Sequence, residues 1–407
     1  MGDIVALRAV LWLTLQAADL EQGAPAEARP STRLELGIRA EGRATTLVPV
    51  GGPTETFDSG SMTPSAALAV NLGTLRTDVS YSLRLWSSDV VEIASPRTLQ
   101  TASARLAVRP PRPWSLELTA DGLAGTADPL ANPFHTIQAA QPDFVAPSAS
   151  VPYESLRTGA RGERQVDLQT TVGAGAAWSI ARGLTPEARL LLPRQQIASA
   201  DASVAHRLTE LDTLRVTGTA ARTWTDAPRG RTSYVSASAS AAWRRGFAPR
   251  TEGWADLGVG TSEAAHVGGA TSREIFPVAE VGVVHGGPPL ALREEVAIGS
   301  SAYVDPSTGA LVPMTQGRCA VRWRAAEHVS LDGSAAVRRS TDGTSALAFA
   351  QLWVRWWLLP RVSLEAGLLG RSQRDAQQAV PSFSEGAIVA AVAYGAGPDA
   401  PPDGALR

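Results

Sequence analysis

Period-two alternation of apolar and polar side chains is the feature that most constrains this chain, and it recurs from Arg33 onward. In Arg33–Arg39, Leu34, Leu36 and Ile38 alternate with Arg33, Glu35 and Arg39. In Thr77–Leu85, Val79, Tyr81, Leu83 and Leu85 alternate with Asp78, Ser80, Ser82 and Arg84. Trp114–Asp121 and Val329–Arg338 repeat the pattern. Successive side chains of a strand point to opposite faces, so each segment predicts one apolar and one polar face. No helical periodicity of comparable strength interrupts the series, and Pro, Gly and Ser mark the breaks.

The breaks alternate in length. Short ones, such as Gly73–Arg76, Pro110–Pro113, Ala181–Thr185, Arg244–Arg250 and Leu358–Pro360, lie between longer polar ones. The longer set includes Ala44–Thr63, Ser87–Arg97, Leu123–Arg164 and Arg371–Phe383. Short turns at one end and longer loops at the other predict a single antiparallel transmembrane β-barrel, all-β, with short periplasmic turns and longer outer loops. The segments number about 18, at the roughly 10-residue length of a tilted membrane strand. Sixteen is the alternative. Either count is even and puts both ends of the chain in the periplasm. Strands are expected at 165–179, 184–192 and 196–206 among others, with a tight connection at Pro193 on the side where loops should be long.

Composition narrows the class. Of 407 residues, 44% are hydrophobic and only 19% charged, against roughly 25% charged in an average soluble domain. The net charge of -2 gives no reason to expect nucleic acid as a partner. The basic residues are all Arg. A single Cys excludes an intrachain disulfide and a Cys-based zinc site, and five scattered His offer little for a metal, so neither metal nor cofactor is expected. Ile4–Ala18 is apolar but too short to span a bilayer comfortably, and small residues follow it. Residues 1–28 read as a signal peptide, with an amphipathic helix as the alternative, since Asp3 and Arg8 depart from the usual pattern. The barrel is expected over 29–395 and a flexible tail over 396–407. The expected location is the bacterial outer membrane, with its lipid and the barrel assembly machinery as partners.

Tryptophan is an independent marker. Of 11, Trp114, Trp178, Trp243, Trp323 and Trp356 share the apolar parity beside expected short turns, the arrangement of a membrane girdle. The polar parity carries Arg84, Arg105, Glu117, Asp121, Arg215, Arg293, Glu295, Arg322, Asp332, Arg355 and Glu365. These are the expected pore-lining residues, because an eighteen-stranded barrel is too wide for side chains to fill. Their mixed signs suit a channel for polar solutes without strong ion selectivity, although each could equally pair across strands and stabilise the wall. Two features depart from a simple lipid face. Ala237, Ala239 and Ala241 stand where larger residues are expected, and Glu294 interrupts an apolar row. A bulge or a second subunit would account for either. Cys319 reads as a lipid-side thiol. No catalytic residue is expected: His328-Val329-Ser330 has the His-x-Ser order of outer-membrane phospholipases but lacks their Asn context, and it falls at a short turn.

The run Met62–Trp86, MTPSAALAVNLGTLRTDVSYSLRLW, resembles openings of large barrel proteins of myxobacteria and related groups. VAHRLTELDTLRVTGTAARTW and AFAQLWVRWWLLPRVSLEAGLLG repeat its strand, tight turn, strand order. The terminal strand SEGAIVAAVAY, ending in Tyr394, is similar to the last strand of outer-membrane barrels, although a tail follows it here. The resemblance implies a porin-type barrel. It offers exopolysaccharide export as one cargo and periplasmic polysaccharide-export components as candidate partners. A scaffold or adhesion barrel with a plugged lumen is the non-transport alternative, and a soluble β-rich periplasmic protein is a second one.

Overall fold

A computed structural model describes residues 31–88, 97–110, 113–126, 152–191, 193–227, 230–265, 271–286, 292–304, 311–343, 345–375 and 382–395. The expected signal peptide and tail lie outside the described residues. Eighteen strands form one antiparallel sheet. In order they are β1 (Ser31–Pro49), β2 (Glu55–Leu72), β3 (Leu75–Ser88), β4 (Arg97–Val108), β5 (Trp114–Thr126) and β6 (Pro152–Gln165). Next come β7 (Thr170–Gly183), β8 (Arg194–Arg207), β9 (Asp212–Ala227), β10 (Gly230–Ala248), β11 (Thr251–Ala265) and β12 (Thr271–Gly286). The last are β13 (Leu292–Val304), β14 (Leu311–Ala326), β15 (Val329–Ser340), β16 (Ser345–Leu359), β17 (Val362–Asp375) and β18 (Phe383–Tyr394). Each strand pairs with its sequence neighbour, and β1 also pairs with β18, from Ile38↔Tyr394 to Pro49↔Phe383. That pairing closes the barrel and removes both edges.

The strands with clear alternation keep the parity that their sequence announces. In β1 the even residues Leu34, Leu36 and Ile38 are exposed, while Arg43 and Thr45 of the odd set are buried. The registers carry this assignment around the ring: Leu34 lies opposite Leu68, Leu68 opposite Val79, and Val79 opposite Ala104. The buried parity also makes contacts that skip a strand, such as Arg39 on β1 with Glu365 on β17. Such contacts need the concave side, where side chains converge. The apolar parity therefore faces out and the polar parity faces in.

The two rims differ. One is closed by the turns after β2, β10, β14 and β16, with only Gly73–Thr74, Pro249–Arg250, Glu327–His328 and Pro360–Arg361 between strands. Gly73, at φ 70, supplies the left-handed conformation that so tight a turn needs. Register shifts at Gly246/Ala248, Arg324/Ala326 and Trp357/Leu359 all fall at this rim, the usual place for bulges that re-aim a barrel strand. The other rim carries the longest separations, notably 127–151 between β5 and β6.

The turn after β6 is held by Asp167. Its carboxylate accepts the backbone N–H groups of Gln169 and Thr170, each at 2.7 Å. The bond from Gln169 leads in holding its pKa below the ordinary carboxylate value, helped by Thr170. A depressed folded pKa means that this support is complete above the usual carboxylate pKa and is lost as pH falls through the lowered value. A carbon-detected titration of the Asp167 carboxyl should have its midpoint below that of exposed aspartates; an ordinary midpoint would contradict the turn geometry.

Two expected segments differ. Leu123–Arg164 is not all loop, because β6 occupies its last third. Its outward residues Thr158, Ala160 and Gly162 are too small to announce an apolar face, so the alternation there is faint. Residues 184–191 are not a strand. They hold helix α1 (Pro186–Leu191), started by Thr185, whose Oγ1 accepts the Ala188 N–H at 3.1 Å. A Thr cap followed by Pro at the first helical position is a helix-start signal that outweighs the weak alternation of the segment. The strands expected at 165–179 and 196–206 correspond to β7 and β8. One missed and one surplus strand cancel, leaving the count at 18.

Candidate functional site: the inner wall and the lipid face

The outer face is an apolar band. Leu257, Val259, Val281, Val296, Ile298, Leu352, Val354, Leu368, Ile388 and Val392 project from it and are exposed in the isolated chain. Outward charges gather near strand ends: Glu154 pairs with Arg182, and Glu263 stands opposite Arg273. Glu294, the third residue of β13, stands opposite His285 at the short-turn rim. No shift of register occurs within β13, so the charge is tolerated by its height, not by a bulge. Nor does a bulge explain Ala237, Ala239 and Ala241, since β10 is in unbroken register from Ser233 to Gly246. Their neighbours are small as well: Ala220 and Gly218 on β9 face Ala237 and Ala239.

A closed barrel satisfies every backbone donor and acceptor internally, the condition for crossing hydrocarbon. Trp114, Trp243, Trp323 and Trp356 face outward near the short-turn rim, 37–49% exposed. Trp178 also faces outward but stands away from that ring, because the segment after β7 lies at the opposite rim. Trp254 and Trp357 are near the short-turn rim yet face inward, and Trp254 Nε1 donates to Glu280 at 2.9 Å. Cys319 faces outward and is free.

All eleven residues expected on the polar parity project to the interior. Arg105 pairs with Glu117 at 2.6 Å, and Arg322 with Asp332 at 2.9 Å. Asp121 is the register partner of Arg157. Glu295 receives Arg318 at 3.5 Å, and Arg318 also grips Glu280 at 3.0 Å. Arg293 lies beside Arg322. Arg215 stands between the small residues Ala205 and Ala242. Much of the wall's charge is thus neutralised locally. Hydroxyls line other sectors: Ser80 meets Ser103 at 2.6 Å, and Thr219 meets Ser238 at 2.7 Å.

The densest group joins β1, β3, β16 and β17. Glu365 is held by Arg39 at 2.5 Å and Arg355 at 2.6 Å. Glu41 is held by Arg43 at 3.2 Å, Arg84 at 3.3 Å and Arg39 at 3.4 Å. The guanidinium of Arg39 lies 5.2 Å from the Trp353 ring centroid, and that of Arg355 lies 5.6 Å from Trp357. Small residues make the assembly possible. Ala391 of β18 is the register partner of both Glu41 and Glu365, so nothing bulky separates them. Trp353 lies over its register partner Gly367, where a Cβ would come within 2.7 Å of the ring. Sequence reasoning named Arg84, Arg355 and Glu365 but not Glu41 or Arg43. The alternation of Arg33–Arg39, continued by four residues, would have reached both.

Near the other rim, Phe57, Trp86, Leu99 and Leu123 are buried on the inner faces of β2 to β5. Trp86 Nε1 donates to the carbonyl of Thr126 at 3.1 Å. Of the long break expected over Leu123–Arg164, residues 127–151 lie outside the described residues, while Tyr153 belongs to β6. His328 and Ser330 lie at the short-turn rim, where His328 accepts the Trp357 N–H through its backbone carbonyl at 2.9 Å.

No protein-family description matches the chain, and no curated protein matches it in sequence. Among solved structures it is similar to the copper transporter OprC, with 12% identity, TM-score 0.48, and coverage of 87% of this chain and 64% of that one. It is also similar to the FrpB iron transporter from Neisseria meningitidis, with 8% identity, TM-score 0.48, and coverage of 88% and 63%. A third is OccK2 (OpdF) of Pseudomonas aeruginosa in complex with glucuronate, with 10% identity, TM-score 0.45, and coverage of 89% and 98%. The chain spans less than two thirds of the length of the first two. Two of these are named as transporters, and likeness at this level shows nothing of cargo. The closed barrel and its apolar belt are those of a bacterial outer-membrane protein.

Proposed function

We propose that the barrel is a passive channel for small polar solutes. The observation that supports this most is the inner face: charged and hydroxyl side chains follow the polar parity around the ring of 18 strands, on a circumference too wide for side chains to fill. Locally paired charges give weak overall ion selectivity and leave polar surface for solvated solutes. Passage of exported polysaccharide is the second reading. It is supported by the hydroxyl-rich inner faces of β9 and β10, with Thr217, Thr219, Ser236, Ser238 and Ser240, and by the resemblance of Met62–Trp86.

Osmotic swelling of proteoliposomes tests the proposal. Arabinose should enter quickly and trisaccharides more slowly. No swelling with correctly folded barrel would overturn the channel reading and favour a plugged scaffold.

A further inference from the structure

We infer that the inner wall where β1, β3, β16 and β17 meet is a binding station for an oxyanion, a solute carrying a carboxylate or phosphate group. This deepens the channel reading by naming a chemical class that the lumen retains.

Three observations carry it. The first is layering. Glu365 and Glu41 lie against the wall, with side chains 4% and 10% exposed, while Arg39, Arg84 and Arg355 in front of them are 31%, 21% and 23% exposed. A solute in the lumen therefore meets guanidinium groups first. The second is a shortage of acceptors. Nε and Nη1 of Arg43, Nε1 of Trp353 and Nε1 of Trp357 are buried without hydrogen-bond partners among the described residues. All four are donors. Glu365 Oε2 also lacks a hydrogen bond but lies 2.5 Å from Nη1 of Arg39, so it is held ionically. Buried donors are normally satisfied, and the four that remain call for a ligand that brings acceptors. An oxyanion supplies several acceptors together with negative charge. A cation supplies neither. The third is rigidity. Arg39 and Arg355 are fixed from behind by Glu365 and from the side by Trp353 and Trp357. Forked donors held in place lose little entropy on meeting a carboxylate or phosphate.

Calorimetry on the detergent-solubilised full-length barrel tests this without requiring conduction. The probes are sulfate, inorganic phosphate and succinate, each titrated at constant ionic strength against sodium chloride. Saturable binding of one site per barrel is expected. Arg84→Gln should weaken it about tenfold or more, the scale of a charge-assisted hydrogen bond. Arg84→Lys should recover part of the loss, since charge remains but the fork does not. Glu41 keeps Arg39 and Arg43 in the variants, and heat-modified gel mobility verifies folding.

Arg244→Gln removes an inner-face charge from β10, nine strands from β1, and should leave binding unchanged. Binding of phosphate and sulfate without succinate would support a phosphate-type ligand; the reverse would support a carboxylate. Absence of saturable binding, or equal weakening by Arg84→Gln and Arg244→Gln, would overturn the station. If binding persists in a barrel that passes no solute, the channel reading fails and the station stands.

Discussion

Leu368→Arg should destabilise the folded barrel by about 2–4 kcal/mol, the cost of an arginine on the lipid face near the bilayer midplane. Leu368 lies midway along β17, 54% exposed in the isolated chain, with Leu352 and Ile388 as its outward register partners. Its exposure would be a liability in water; in a bilayer it is the site's main contact. Thr217→Arg, on the inner face of β9, is the matched control, because a charge there meets the lumen. Urea unfolding from lipid vesicles should separate the two variants clearly. Equal effects would mean that the two faces have been assigned wrongly.

Glu365→Gln should cost about 3 kcal/mol, as expected when one partner is removed from a buried ionic group. Its carboxylate sits between Arg39 and Arg355 with 4% of the side chain exposed. Neutralising it leaves two guanidinium groups facing each other with no carboxylate between them. A lower urea midpoint with an unchanged slope is the expected reading. A variant as stable as the parent would show that water screens the group from the lumen side.

The fold was legible because a membrane barrel repeats one rule. Leu34, Val79, Leu118 and Val337 announce the outer face, and Arg84, Glu117 and Asp332 the inner one. The rule fades where outward residues are small, so β6 reads in sequence as part of a loop. It misled where a local signal overrode it, as at Thr185-Pro186, which starts a helix. Parity puts the eleven residues on one face of their strands without any knowledge of register. It could not show which of them meet. The grouping of Arg39, Glu41, Arg43, Arg355 and Glu365 depends on closure of β1 onto β18 and on Ala391 between them, and neither is written in any one strand. Trp178 illustrates the same limit: its parity was clear, but its height depended on the turn that follows.

Planar-bilayer conductance of the refolded full-length chain in KCl, with heat-modified mobility as the folding control, tests the central claim most directly. The account predicts stable, discrete steps and a reversal potential near neutrality between the two ions, because most inner charges are paired within the wall. A correctly folded barrel that inserts but stays silent would contradict an open polar lumen.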